Sequence, residues 1–151
     1  MEELLRKSRP LSISLTHYTH NQNSMNTTWN EHCAPDARTL KGKRVLVRVD
    51  WNMPITDGKI SDTSRFDVSV PFLKNLANAG AKIILLSHFG EKGESLGVVA
   101  SHVTKALSFI TFTPSFDFAE LETQSRTLIN GTGMLLENVR LFKGETENIP
   151  S

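Results

Sequence analysis

Five residues of this sequence have side chains suited to chemistry on a small anion: Asp50, Asn52, Arg65, His88 and Arg140. Asp50 and Asn52 close the stretch RVLVRVDWNMP (44–54), an apolar run that stops at an acid, a tryptophan, an asparagine and a proline. Arg65 lies in DTSRF, His88 in SHFG and Arg140 in LLENVRLFKGE. A guanidinium grips phosphate or carboxylate through a two-pronged fork, whereas a carboxylate and an amide together read a hydroxyl. Each residue also has a plainer reading. Asp-x-Asn-x-Pro is ordinary turn chemistry, a strand-end histidine is often a hydrogen-bonded structural residue, and the arginines could be exposed charges. Glu137 reads as a residue that orients a neighbour or caps a loop. Gly131-Thr132-Gly133 precedes a strand instead of opening a helix, so it carries little weight as a phosphate loop. His17, His20, His32 and Cys33 match no zinc spacing, and no metal site is expected.

The elements that must hold the five residues follow from the apolar pattern. Short runs at 44–49, 82–87, 109–113 and 134–138 are apolar at both parities, as in parallel strands covered on both faces. Between them, 64–79, 95–107 and 116–128 carry apolar residues at helical spacing, with Ser95 placed as an N-cap and Gly80 as a C-terminal stop. Pro71 falls inside the first of these segments, where it would kink a helix. The pattern is that of an α/β fold, a Rossmann-like parallel sheet with crossover helices. In such sheets ligands bind beyond the carboxyl ends of the strands. Asp50 and Asn52, His88, and Arg140 follow three different strands, and Arg65 opens the first crossover.

Composition limits the alternatives. With 17 basic and 16 acidic residues the formal charge is +1, which gives no broad field for nucleic acid or an anionic membrane. One cysteine cannot close an internal disulfide, and no apolar run approaches the roughly 20 residues that span a bilayer. A cytoplasmic setting is expected, without nucleic-acid or membrane partners. Residues 1–40 are polar and aperiodic and are expected to form a disordered leader, with Met25 as an alternative start. The folded part is expected to be 41–151.

Taken in order and spacing, KGKRVLVRVDWNMPITDGKISDTSRF, GAKIILLSHFG, SLGVVASHV and LLENVRLFKGE resemble the N-terminal domain of phosphoglycerate kinase. RVDWNMP is similar to that family's RVDFNVP, and LLENVRLFKGE to its LLENVRFYKGE. The resemblance implies an incomplete N-terminal domain of the phosphoglycerate kinase fold that binds 3-phosphoglycerate. Asp50 and Asn52 would lie near the substrate hydroxyl. Arg65 would take the carboxylate and the migrating phosphoryl group as the catalytic residue, and His88 and Arg140 would belong to the basic patch for the phosphate. In the family, Mg-ATP or Mg-ADP is held by a C-terminal domain that has no counterpart in these residues. No cofactor is therefore expected on this chain, and the phosphoryl transfer between 1,3-bisphosphoglycerate and ADP is expected to be absent from it alone. The partners the resemblance offers are 3-phosphoglycerate or a similar small anion and, as a further candidate, a C-terminal half acting in trans. One departure bears on the site: the family's HLGRP motif has an arginine where this sequence has Glu91, with Lys92 beside it out of register. An alternative is a non-catalytic binding module, or a degraded gene fragment, on the same fold.

Overall fold

The computed structural model describes residues 11–14, 39–91 and 93–142. Its centre is a five-stranded sheet built of β1 (Leu11–Ser14), β2 (Arg44–Arg48), β5 (Lys82–Leu86), β7 (Gly133–Leu136) and β6 (Ile110–Thr113), in that spatial order. Every neighbouring pair is parallel, with Val45 opposite Ile83, Ile83 opposite Gly133 and Ile110 opposite Gly133. A separate hairpin joins β3 (Ile55–Thr56) to β4 (Lys59–Ile60). Its turn is Asp57-Gly58, both at positive φ (51° and 74°), the conformation that matches the twist of two adjoining strands.

Four α-helices complete the described fold: α1 (Ser64–Asp67), α2 (Val70–Asn78), α3 (Gly97–Ala106) and α4 (Phe118–Thr127). The chain moves across the sheet in one direction from β2 to β5 to β6, then turns back to β7. Right-handed crossovers require the returning helix to lie on the opposite face, and it does. Phe72, Leu73 and Leu76 of α2 and Val99, Ala100 and Val103 of α3 share one core with Val45, Val47, Ile83, Leu85 and Leu135. On the alternate parity, Arg44 Nη1 donates to Ser125 Oγ of α4 (3.2 Å), and Thr113 Oγ1 donates to Gln124 Oε1 (3.2 Å).

The two faces are unequally covered, which departs from the expectation of strands enclosed on both sides. Val45, Val47, Ile83 and Leu85 are fully buried, whereas Leu46, Ile84, Leu86 and Leu136 on the second face are only half-buried. Helix α4 alone shields that second face among the described helices, and it is tied to the sheet by bonds to Arg44, Lys82 and Thr113.

Three local expectations are also corrected. The segment 64–79 is two helices, because Pro71 occupies the first turn of α2, where its missing N–H has no intrahelical partner to lose; it starts a helix instead of kinking one. Helix α3 starts at Gly97 with Leu96 at the cap position, and the Ser95 hydroxyl accepts from Gly97 N–H from one residue further out (3.1 Å). Leu11–Ser14, inside the stretch read as a leader, is a strand paired with β2. LSIS alternates apolar and polar residues, but over too few positions for periodicity to register. The rest of residues 1–38 lies outside the described residues, as do Cys33, His17, His20 and His32. Gly80 ends α2 as expected: at φ 76° it donates to Ala77 O while Ala81 N–H reaches Leu76 O, the paired bonds of a left-handed helix stop.

Candidate functional site

The end of β2 is anchored by the residue between the two polar ones. Trp51 is fully buried; its backbone N–H donates to Ser87 Oγ at the end of β5 (3.1 Å), and its indole Nε1 to Ser69 Oγ (3.1 Å). The Ser69 hydroxyl in turn donates to Phe66 O (2.6 Å), and the Trp51 and Phe66 rings meet at 5.4 Å. An aromatic bolt therefore fixes β2, β5 and the α1–α2 corner to one another. Asp50 and Asn52, on either side of Trp51, are left half-buried at the sheet edge, and Arg65, preceding Phe66, is left exposed beside them.

These side chains meet in two groups. The Arg65 guanidinium forms a hydrogen-bonded ion pair with Asp50 Oδ2, and His88 Nε2 stands 3.6 Å from Asp50 Oδ1. Asn52 N–H also donates to Asp50 Oδ1 (3.3 Å), while Asn52 Oδ1 accepts from Gly90 N–H (3.0 Å). The Arg140 guanidinium donates to the carbonyl of the same Gly90. All five residues singled out in the sequence thus lie around the ends of β2, β5 and β7, Asp50 linking Arg65 and His88, and Gly90 linking Asn52 and Arg140. Burial pushes the His88 pKa below its ordinary value. The Asp50 carboxylate opposes this, and the positive charges of Arg140, Arg48 and Arg65 add to it. The balance favours the neutral imidazole.

A supporting layer behind them went unread in the sequence. Asn138 is fully buried and uses its whole amide: Oδ1 accepts from Phe89 N–H (3.2 Å) and Arg140 N–H (3.1 Å), and Nδ2 donates to Phe89 O (2.7 Å) and Glu94 O (2.6 Å). One side chain therefore holds both ends of the 88–94 loop against the turn that carries Arg140. Glu137, 5% exposed, accepts from Leu96 N–H (2.7 Å), Asn138 N–H (2.8 Å) and Ser95 Oγ–H (2.9 Å). It is the loop and helix cap that its strand-end position suggested. The only available signal for Asn138 was an amide in the strand-end run ENVR, and an amide there is equally at home on the surface.

The acids of the site are not grouped for a cation. Asp50 is committed to Arg65, Glu137 takes three donors, and no cluster of three or more His, Cys, Asp or Glu suited to a metal occurs among the described residues. The described residues at the strand ends do not fit a magnesium nucleotide. An open hollow beside β6, lined by Thr113, Glu120 and Gln124 among others, contains no cationic side chain and stands apart from the strand-end cluster. Glu91 is exposed on the 88–94 loop; Lys92 and Lys143 lie outside the described residues. No described helix is long and apolar enough to cross a membrane.

Comparison with known proteins places this geometry in context. The sequence profile of phosphoglycerate kinase matches residues 36–151, so the matching region begins a few residues before the expected boundary. Phosphoglycerate kinases of Rhizobium leguminosarum and Deinococcus radiodurans are 40% identical over 122 residues and 44% identical over 117, covering 76% and 72% of this chain but 30% and 28% of their own length. The crystal structure of the Pyrococcus horikoshii phosphoglycerate kinase superposes with a TM-score of 0.66 at 27% identity over 74% of this chain and 29% of its own. The structure of phosphoglycerate kinase from Coxiella burnetii superposes with a TM-score of 0.61 at 32% identity, over 73% of this chain and 28% of its own. The chain thus spans about 30% of the length of the relatives it matches. A profile match over most of the chain, together with the parallel sheet whose strand ends carry the motif residues, makes this chain a member of the phosphoglycerate kinase family.

Proposed function

We propose that this chain is the 3-phosphoglycerate-binding part of a phosphoglycerate kinase, acting in the cytoplasm on the acceptor side of phosphoryl transfer between 1,3-bisphosphoglycerate and ADP. The observation that carries the reading is the convergence of Arg65, His88 and Arg140 with Asp50 and Asn52 at three adjacent strand ends. Arg65 would leave Asp50 to grip the substrate carboxylate and stabilise the transferring phosphoryl group. Asp50 and Asn52 would then read the hydroxyl, and the phosphate would rest on Arg140 and a newly protonated His88. Transfer of this kind depends on positioning and charge neutralisation, so a chain carrying one side of the site binds without turning over. Mg-ATP or Mg-ADP would be brought by a C-terminal half of the family's kind. Titration calorimetry with 3-phosphoglycerate tests the reading: Arg65→Ala and Arg140→Ala should each weaken binding about tenfold or more, the loss of one charge-assisted contact. Wild-type affinity in both variants would refute it.

A second reading, a non-catalytic binding module on the same fold, is favoured by Glu91 at the family's arginine position. It predicts that no added C-terminal half restores phosphoryl transfer.

A further inference from the structure

Two of the singled-out residues meet on Gly90. Its N–H is taken by Asn52 Oδ1, its carbonyl by the Arg140 guanidinium, and its φ is 65°. The remaining face is its Cα, and there the fold places an anion of its own. A Cβ at Gly90 would collide with Glu94 Oε2 and stand 3.1 Å from Glu94 Oε1. The Glu94 carboxylate therefore fills the hollow that the missing side chain creates, against the residue on which Asn52 and Arg140 converge.

We propose that Glu94 is a built-in competitor for the anion site: its carboxylate occupies the place beside Gly90 that a ligand's anionic group takes, and the ligand binds as Glu94 swings out. Two features permit the exchange. The Glu94 carbonyl is pinned by Asn138 Nδ2 (2.6 Å), so the backbone stays put, while its side chain is exposed and free to rotate toward solvent. No breakage of the loop is needed. The inference rests on the 3-phosphoglycerate reading and deepens it, because a nearby carboxylate discriminates by charge. 3-Phosphoglycerate must displace the Glu94 carboxylate to seat its phosphate, whereas glycerate carries no phosphate to seat there. Glu94 is thus a specificity residue that weakens phosphorylated ligands more than their unphosphorylated counterparts.

The test uses the full 151-residue chain. Calorimetric titrations of 3-phosphoglycerate and of glycerate are compared for wild type, Glu94→Gln, Glu94→Ser, Arg140→Ala, and Glu122→Gln as a remote charge-removal control on α4. Both Glu94 variants should bind 3-phosphoglycerate roughly three- to tenfold tighter, glycerate should gain less, and Glu122→Gln should change neither. If Arg140→Ala weakens 3-phosphoglycerate but the Glu94 variants match Glu122→Gln, Glu94 is a plain surface charge; the proposal is overturned and the functional reading stands. Equal gains for both ligands overturn the discrimination by charge. If wild type and Arg140→Ala bind alike, or neither binds, the functional reading fails and takes this inference with it.

Discussion

His88 illustrates how much a single residue's setting decides. Its imidazole is driven toward neutrality by burial and by three arginines, with only Asp50 opposing. A phosphate arriving beside it reverses that balance, so binding should take up a proton near neutral pH. Calorimetry in two buffers of different ionisation enthalpy measures the uptake, and His88→Gln should abolish it. Stability follows the same logic. With the folded pKa below the ordinary 6.5, the unfolded chain binds the proton first as pH falls. The stability contributed by neutral His88 is complete above about 6.5 and is lost below it. Denaturant titrations across that window should show a shallower decline for His88→Gln. At Glu91, reversing the charge should strengthen 3-phosphoglycerate binding more than removing it, since Glu91→Arg supplies a fork and Glu91→Gln supplies none. Equal affinities for the two variants would mean that the exposed side chain points away from the phosphate.

Among the elements, four of the five parallel strands and the helix between β6 and β7 were legible because apolar runs at both parities and helical spacings are long signals. The α1–α2 break was not, since the same apolar spacing runs through it and only the geometry of Pro71 in a first turn separates the two helices. The Asp57-Gly58 hairpin passed unread although its turn dipeptide stands in the sequence, because two-residue strands carry no periodicity. The convergence of the five singled-out residues was legible from their places after three strands and at the start of the first crossover. What escaped was the network that holds them, because Asn138 and Glu94 act through backbone atoms of a loop and leave no spacing rule. Asn138→Ala should be costly: it strips partners from four buried or half-buried backbone groups, at about 2–4 kcal/mol, and should also loosen the 88–94 loop. Chemical denaturation checks the first effect and amide exchange at Phe89 and Arg140 the second. Gly133→Ala should destabilise for a different reason. A methyl there would stand 2.7 Å from Ile110 Cδ1 and 2.8 Å from Ile83 Cβ, closer than packed atoms approach.

For the whole molecule, the expected result is binding without turnover. A coupled assay on the chain alone should read background with any nucleotide, and should rise only when a family C-terminal half is added or fused after Ser151. Turnover by the chain alone, removed by Arg65→Ala, would contradict this. The half-covered second face, with Leu46, Ile84, Leu86 and Leu136, should make the isolated chain prone to association, visible as concentration-dependent light scattering. The all-parallel sheet has a further consequence, for the time the chain needs to fold. No two of its strands can pair through a tight turn: Ile110 waits for Gly133 across 23 positions, Val45 for Ile83 across 38, and Ile83 for Gly133 across 50. Each pairing must close a long loop before any ladder bond forms, so refolding should be slow for a chain of this size. On the ribosome β2 and β5 are complete well before β7 exists, and β5 then presents an open edge until the last strand is made. Pulse-labelled amide exchange during refolding should accordingly show the β6–β7 ladder, the shortest closure, gaining protection first, whereas during synthesis the half-built sheet is the species most exposed to chaperones and to aggregation.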